Sequence, residues 1–216
     1  MIHNHLAMQL AMRARLMTLV VSTTGSATLA ATLTGYARST GSFVTDGLAP
    51  GMELTPSGFS SNPVGTISDM TALAVSVSGT RSAQAAAAGR SLVVGLPSLR
   101  AWENETVEPI QGQPYVEEQY VPGPAAVQEL GPGARSEARP MYCPRIFVKS
   151  NTAIAADGRY ADAILALFPP GLTLTAADGS LLCVMSSPAP YRGQRLPGVA
   201  VGWSCIPITI PFYTLN

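Results

Sequence analysis

The chain has 216 residues, of which 47% are hydrophobic and 12% are charged, about half the charged share of an ordinary soluble domain. Thirteen basic and thirteen acidic residues cancel to a formal charge of zero, which argues against the cationic field that drives non-specific binding to nucleic acid or to a membrane surface. Apolar runs stay well short of the roughly 20 residues of a spanning helix, so we expect no membrane segment. So few charges indicate a surface of small neutral groups, or one that neighbouring subunits cover.

The first predicted element is a helix from Leu6 to Val21 with two apolar stripes. One stripe consists of Leu6, Leu10, Ala14, Met17 and Val21. The second lies on nearly the opposite side and consists of Met8, Met12 and Leu19. One stripe can cover the core of its own subunit. The second is covered either by an inserted segment of the same chain or by a neighbouring subunit. Arg13 and Arg15 interrupt the apolar run, so we expect no export signal and a chain made in the cytoplasm.

At Ser22 the composition changes, and residues 22–98 are rich in Ser, Thr, Gly and Ala with turn signals at short intervals. Short runs between the turns, such as 26-SATLAATL-33 and 73-LAVSV-77, predict a small all-β module. A disordered linker is the alternative, but Phe43, Leu54 and Ile67 give this segment something to bury. The stretch 81-RSAQAAAAGR-90 is ambiguous, because its alanines also allow one or two helical turns.

Beyond Pro97, the extended runs 101-AWENETVEPI-110 and 115-YVEEQYV-121 are predicted to pair as a hairpin. A loop, a strand and a helix from about Thr152 to Phe168 follow, and the remainder is β. In the last run, Pro207 and Pro211 remove two N–H groups, which predicts a sheet edge. With the middle module set aside, this order predicts an α+β fold in which helices pack on one mixed or antiparallel sheet.

The sequence offers little for catalysis or for a cofactor. Both histidines, His3 and His5, lie in the first five residues without a matching Cys or His cluster, so we expect no metal site. The three cysteines lack a C-x-x-C spacing, and without a further His a Ser-His or Cys-His nucleophile is hard to build. Glu103, Glu105 and Glu117 can in principle serve glycoside hydrolysis, but a solvated or intersubunit face is the favoured reading. The sequence therefore predicts a protein that is not an enzyme.

Several segments, taken in order, carry a resemblance to a known family. They are the N-terminal helix, Ala101-Trp102-Glu103-Asn104, Pro114-Tyr115-Val116-Glu117, Leu130-Gly131-Pro132-Gly133, Phe168-Pro169-Pro170-Gly171, and the ending from Gly202-Trp203 to Pro211. Together they resemble the tail terminator proteins of long-tailed bacteriophages. The resemblance covers roughly residues 5–21 and 99–214, and it rests on order and spacing. It divides the chain into an α+β ring domain of residues 1–21 and 99–216 and an inserted small β module of residues 22–98.

The resemblance implies a structural virion protein. Such a protein forms a hexameric ring on the head-proximal end of the tail tube, ends tail polymerisation and joins tail to head, without enzymatic activity, cofactor or sequence-specific binding of nucleic acid. Its implied partners are further copies of itself, the tail tube protein and a head-completion or connector protein. We predict these subunit-interface residues: Met8, Met12, Leu19, Glu117, Glu118, Arg135 and Arg139. Within this set, the glutamates are predicted to meet the two loop arginines across subunits. An alternative hypothesis makes residues 22–98 an adhesin-like surface-binding module of a virion.

Overall fold

The computed structural model describes residues 4–102, 105, 108, 110, 113–127, 136–149, 154–197 and 202–215. The fold is mostly β, with 47% of residues in strands and 12% in two short helices, and it contains a closed six-stranded barrel and a half-barrel. The prediction of an α+β fold, with helices packed on one mixed or antiparallel sheet, is therefore wrong.

The helices are α1 (His5–Leu16) and α2 (Ile154–Leu167). The first sheet contains β1 (Ser22–Thr23), β2 (Ala27–Ala31), β3 (Gly35–Arg38), β4 (Met52–Ser57), β5 (Gly65–Met70), β6 (Ala74–Val77) and β7 (Gln84–Pro97). The second contains β8 (Leu99–Ala101), β9 (Tyr115–Val121), β10 (Ala125–Val127), β11 (Ser136–Ala138), β12 (Met141–Lys149), β13 (Thr173–Thr175), β14 (Leu181–Val184), β15 (Tyr191–Arg192), β16 (Leu196–Pro197) and β17 (Trp203–Leu215).

The long strand β7 closes the barrel. Its first half pairs with β2 (Ala31 with Gln84) and its second half pairs with β4 (Met52 with Pro97), so the order β7-β2-β3-β6-β5-β4 returns to β7. The alanine-rich stretch that was ambiguous in the sequence is thus a strand from Gln84 onward. Backbone pairing with β2 overrides the helical preference of alanine.

The half-barrel has β12 at its centre, between β9 and β17. β8 pairs with β9 in parallel, with Leu99 opposite Tyr115. Ala101, the last residue of β8, begins the run 101–110 that was predicted to form an antiparallel hairpin with 115–121. At this residue the prediction is wrong, because the pairing is parallel. Most of the acidic run from 103 to 112 lies outside the described residues. A parallel pair requires a long connection, and 13 residues separate β8 from β9 in the sequence.

β17 is an internal strand, so the prediction of a sheet edge there is wrong. It pairs with β12 on one side and with β14, β15 and β16 on the other. The two prolines lack an N–H but keep their carbonyl groups. Gly193 N–H donates to Pro207 O at 2.7 Å and Met185 N–H donates to Pro211 O at 2.9 Å. Proline therefore weakens but does not abolish pairing on this side.

The barrel and the half-barrel share one continuous core, which includes Met12 of α1, Leu54 of the barrel and Phe212 of β17. α2 was predicted to within about two residues at each end, whereas α1 ends at Leu16, earlier than the sequence indicated. At the junction, Arg100 donates to Glu53 at 2.8 Å. The barrel is thus held to the rest of the chain at one end, and the division into residues 22–98 and the remainder stays a prediction.

Candidate functional site

The two apolar stripes of α1 have different environments. Met8 and Met12 are fully buried, as is most of Leu19, because α1 lies against the half-barrel and α2. The exposed stripe is the other one, with Leu6, Leu10 and Met17 exposed by 63%, 43% and 46%. The half-barrel and α2 of the same chain therefore cover the methionines, whereas the sequence left open an inserted segment or a neighbouring subunit as the cover. Their role at a subunit interface stays a prediction.

Glu118 fixes α1 to β9. Its side chain is fully buried and accepts hydrogen bonds from Gln9 Nε2 at 2.8 Å and from Arg13 Nε at 2.7 Å and Nη2 at 3.2 Å. The Arg13 guanidinium also lies 4.7 Å from the centre of the Trp102 ring. A buried carboxylate is stable only when such charged and polar partners surround it. Glu118 thus has its cation within its own chain, and the predicted pairing with a loop arginine across subunits remains untested.

Glu117 faces the opposite side of the sheet, because successive side chains of a strand alternate. Its neighbour across the ladder is Arg145, whose guanidinium donates to Gln119. Burial raises the pKa of the Glu117 carboxyl, and the nearby Arg145 charge opposes that rise. This face of the sheet therefore carries the half-buried Glu117 carboxyl group beside the Arg145 guanidinium group.

An aromatic cluster lies on the same side of the sheet as Glu117. Tyr115 stacks on Phe147 with ring centres 4.6 Å apart, and Trp203 meets Tyr115 edge-on at 5.3 Å. Burial is the main cause that raises the pKa of Tyr115 to about 12, with a smaller contribution from Glu117. This small apolar cluster is separate from the main core. It gives the sheet face outside the helices an apolar centre.

The two loop arginines were predicted to face the glutamates. Arg135 lies outside the described residues. Arg139 is exposed and donates to the Glu137 side chain. Arg139 and Glu137 line an open pocket of about 280 Å³, together with Met185, Ser186, Ser187 and Tyr213.

The candidate chemical groups are not brought together. His5 lies 2.9 Å from the Tyr120 hydroxyl, and Glu105 is exposed, while His3 and Glu103 lie outside the described residues. Burial raises the pKa of the free thiols Cys143 and Cys205, which favours the unreactive form. Within the described ranges, no group of three or more His, Cys, Asp or Glu side chains is placed to hold a metal ion.

Neither α1 nor α2, the helices of the described part of the chain, has the length and apolarity to cross a bilayer.

The sequence analysis missed Gln9 and Arg13 as the partners of Glu118. The signal was present, because Gln9, Arg13 and Arg15 are the polar residues between Ala7 and Leu16. Gln9 and Arg13 are four residues apart, so they lie next to each other on α1, between its two apolar stripes. Two polar groups beside a buried stripe indicate a buried polar partner.

Comparisons with known proteins identify the class. The profile of the family described as Phage tail terminator protein matches residues 81–212, more than half of the chain. The matched range begins inside the barrel, just before β7, and ends in β17. The chain is therefore a structural component of a bacteriophage tail. More narrowly, it belongs to the phage tail terminator protein family.

Two further comparisons add no functional information. No curated protein matches the chain significantly. A solved structure without a functional name is 19% identical, covers 55% of this chain and 79% of its own, and has a TM-score of 0.43. A similarity of this size carries no argument about fold or function.

Proposed function

We propose that this protein forms a hexameric ring on the head-proximal end of the tail tube, where it ends tail polymerisation and joins the tail to the head. The observation that carries this proposal is the family match over residues 81–212. The proposed partners are further copies of the chain, the tail tube protein and a head-completion or connector protein. The role is structural and requires no catalysis.

Exposed apolar groups support contacts between copies. Leu6, Leu10 and Met17 are exposed along the outside of α1. Large contiguous apolar surfaces are uncommon on monomers and mark interaction sites. The chain is also poor in charges, so little electrostatic repulsion opposes the approach of a second copy.

The predicted interface residues take two different roles in this proposal. Met8, Met12, Leu19 and Glu118 hold α1 in place inside the subunit, and they act on the ring through the position of that helix. Glu117 and Arg139 have partly exposed side chains that a neighbouring subunit can reach. Contacts made by Arg135 also remain part of the prediction.

The test is the native mass of the purified chain by light scattering, followed by negative-stain imaging. A ring is expected near six times 22.5 kDa. If the free protein is a monomer, the same measurement is made after incubation with purified tail tubes, which can act as a template. A chain that stays monomeric and fails to bind tube ends would refute the proposal.

Matched variants locate the contact. Leu6→Arg and Leu10→Arg place a charge on the outside of α1 and should lower the ring mass without lowering Tm. Glu117→Lys should also weaken the ring. The control is Val44→Arg, at an exposed aliphatic position in the barrel, which should leave the ring intact.

A further inference from the structure

In the described part of the chain, helices cover only one face of the half-barrel sheet. Glu118 of β9 and Tyr142 of β12 point to the covered face, where α1 and the end of α2 pack. Successive side chains of a strand alternate, so Glu117 of β9 and Arg145 of β12 point the other way, and Pro207 of β17 lies opposite Arg145. We call this second face the outer sheet face.

Three large apolar side chains of the outer sheet face are exposed to solvent. Leu196, Tyr191 and Met141 are exposed by 51%, 50% and 38%. Their ladder partners in β17 are odd-numbered residues, like Pro207, which places all three side chains on this face. The half-buried Pro207 lies between Leu196 and Tyr191 along β17. An apolar sheet face is normally buried against another layer of structure, so this one is a candidate contact surface.

The outer sheet face is large enough for a stable contact. β9, β12, β17 and the short strands beside β17 make it four strands wide, and β12 has 9 residues. With about 4.8 Å between strands and about 3.3 Å per residue, the face covers on the order of 600 Å². An ordinary interface buries about 800 Å² on each partner. This face can therefore supply most of one side of such an interface.

The exposed stripe of α1 matches this face in length and polarity. Leu6, Leu10 and Met17 extend over about 17 Å of helix, at a rise of about 1.5 Å per residue. Leu196 and Tyr191 lie beside residues of β17 that are four apart, about 13 Å along the strand. A helix that lies along β17 can therefore contact both. Similar packing exists inside the subunit, where the buried stripe of α1 covers the inner face of the same sheet.

The positions of the two surfaces select a second copy as the occupant. α1 and the outer sheet face lie on opposite sides of the sheet, because α1 binds Glu118 and the outer sheet face carries Glu117. When α1 of one copy covers the outer sheet face of the next, the pair still has one free surface of each kind. Such a head-to-tail contact repeats until a ring closes. A symmetric contact, of α1 with α1 or of sheet with sheet, stops at two copies.

The charges of the two surfaces are complementary. On the outer sheet face, the Arg145 guanidinium donates to Gln119, and the half-buried Glu117 receives no hydrogen bond from a side chain of the described residues. α1 has no acidic residue. The Nε of Arg15 donates to the Leu167 carbonyl, while its two Nη groups make no hydrogen bond with another described residue. α1 thus brings a cation to a face that holds an unpaired carboxyl group.

We propose that α1 of one copy docks on the outer sheet face of the next copy. The exposed stripe of α1 lies against Leu196 and Tyr191, and Arg15 lies toward Glu117. This contact rests on the proposed function, because it requires that copies associate, but it assumes no particular number of subunits.

Mixed variants test the contact. Leu10→Arg disrupts the α1 surface and leaves the outer sheet face intact, and Leu196→Arg does the reverse. Both positions are exposed, so Tm should stay at the parent value. Each variant alone should be monomeric by light scattering. An equimolar mixture should form a heterodimer near twice 22.5 kDa and no ring, because the mixture keeps one intact pair of surfaces.

The control is Leu73→Arg, at a position exposed by 46% in the barrel, which should form the parent ring. Dimers of Leu10→Arg alone or of Leu196→Arg alone would reveal a symmetric contact and overturn the proposal. A mixture that stays monomeric, under conditions in which the parent chain forms a ring, would overturn it as well.

Photo-cross-linking in assembled phage particles tests the same contact when the free parent chain is monomeric. A photo-reactive amino acid replaces Leu10, and position 73 is the control. We expect an adduct with the mass of two copies that joins position 10 to the peptide containing residues 191–197, and no such adduct from position 73.

An adduct of position 10 with a different protein, an adduct with another segment of a second copy, or no adduct would overturn the proposal. A two-copy adduct at another segment removes this docking site and leaves the ring intact. A chain that forms no ring and binds no tube ends refutes the proposed function itself, so the two failures are distinguishable.

Discussion

Removal of Arg13 isolates the contribution of its ion pair with the buried Glu118. Arg13→Ala leaves the carboxylate with Gln9 as its remaining side-chain donor. Loss of one partner of a buried ion pair costs about 3–5 kcal/mol. Because the Arg13 side chain is 24% exposed, water can reach part of the vacated space, and we expect the low end, about 3 kcal/mol. In a chain of this length, that corresponds to a fall in Tm of roughly 6–12 °C.

Two matched variants bracket this value. Glu118→Gln keeps an oxygen acceptor and removes the charge, so it should cost about 1–2 kcal/mol, the price of weaker hydrogen bonds. Arg15→Ala removes a neighbouring arginine whose Nε donates to the Leu167 carbonyl at 3.3 Å. It should cost less than about 1 kcal/mol, because that contact is one hydrogen bond at the long end of the range.

The assay is thermal unfolding of Arg13→Ala, of Glu118→Ala and of the double variant that combines them. The two losses should be strongly non-additive, with a coupling of about 2 kcal/mol, since residues in one buried network share their energy. Equal losses for Arg13→Ala and Arg15→Ala, or simple additivity in the double variant, would refute the reasoning that Glu118 depends on Arg13.

Three further variants test other parts of the structure by thermal unfolding. Gly35→Ala should destabilise the barrel by at least about 3 kcal/mol or prevent folding, because its Cβ would lie 1.9 Å from a backbone oxygen of β6. Gly95→Ala, whose nearest contact is 3.2 Å, is the milder control, and equal losses would contradict the geometry. Tyr160→Phe should leave Tm unchanged or raise it, because the buried hydroxyl has no hydrogen-bond partner among the described residues; a clear loss would reveal one. Burial raises the pKa of Glu117 in the folded chain, so the folded state holds this proton more tightly than the unfolded state does. The free energy of unfolding therefore falls as pH rises from the ordinary pKa of a glutamate through the raised pKa. Glu117→Gln should therefore match the parent at pH 3.5 and gain about 1 °C at pH 7.5, whereas a loss at pH 7.5 would show that attraction to Arg145 prevails.

Local patterns predicted the elements whose sequence and surroundings agree. α2 ends where Phe168 is followed by Pro169-Pro170-Gly171, since these residues cannot continue a helix. The turn signals of residues 22–98 fall between the short strands of the barrel, and many of their glycines have the positive φ that such turns need. Family membership was likewise accessible, because it depends on the order of segments.

Pairings distant in sequence were not accessible in this way. The alanines after Gln84 become strand only because β2 pairs with them. The parallel approach of β8 to β9 has no local signal. The two stripes of α1 are similarly apolar, so the sequence could not tell that Met8 and Met12 are buried while Leu6 and Leu10 are exposed. Glu117 and Glu118 are adjacent in the sequence, but successive side chains of β9 point to opposite faces of the sheet. Glu117 therefore lies on a partly exposed face, and Glu118 lies in the core.

The position of α1 has a consequence for how the chain folds during synthesis. The helix is made before its partners Glu118, Tyr120 and Leu167, which follow it by more than 100 residues. Until then both of its apolar stripes face water, while the barrel can already close once β7 has been made. Native contacts between residues so distant in sequence slow folding and prolong the exposure of apolar surface to water. Because α1 precedes its partners, it is among the last elements to reach its place, and the interval before it docks is when a growing chain of this protein is most prone to aggregate.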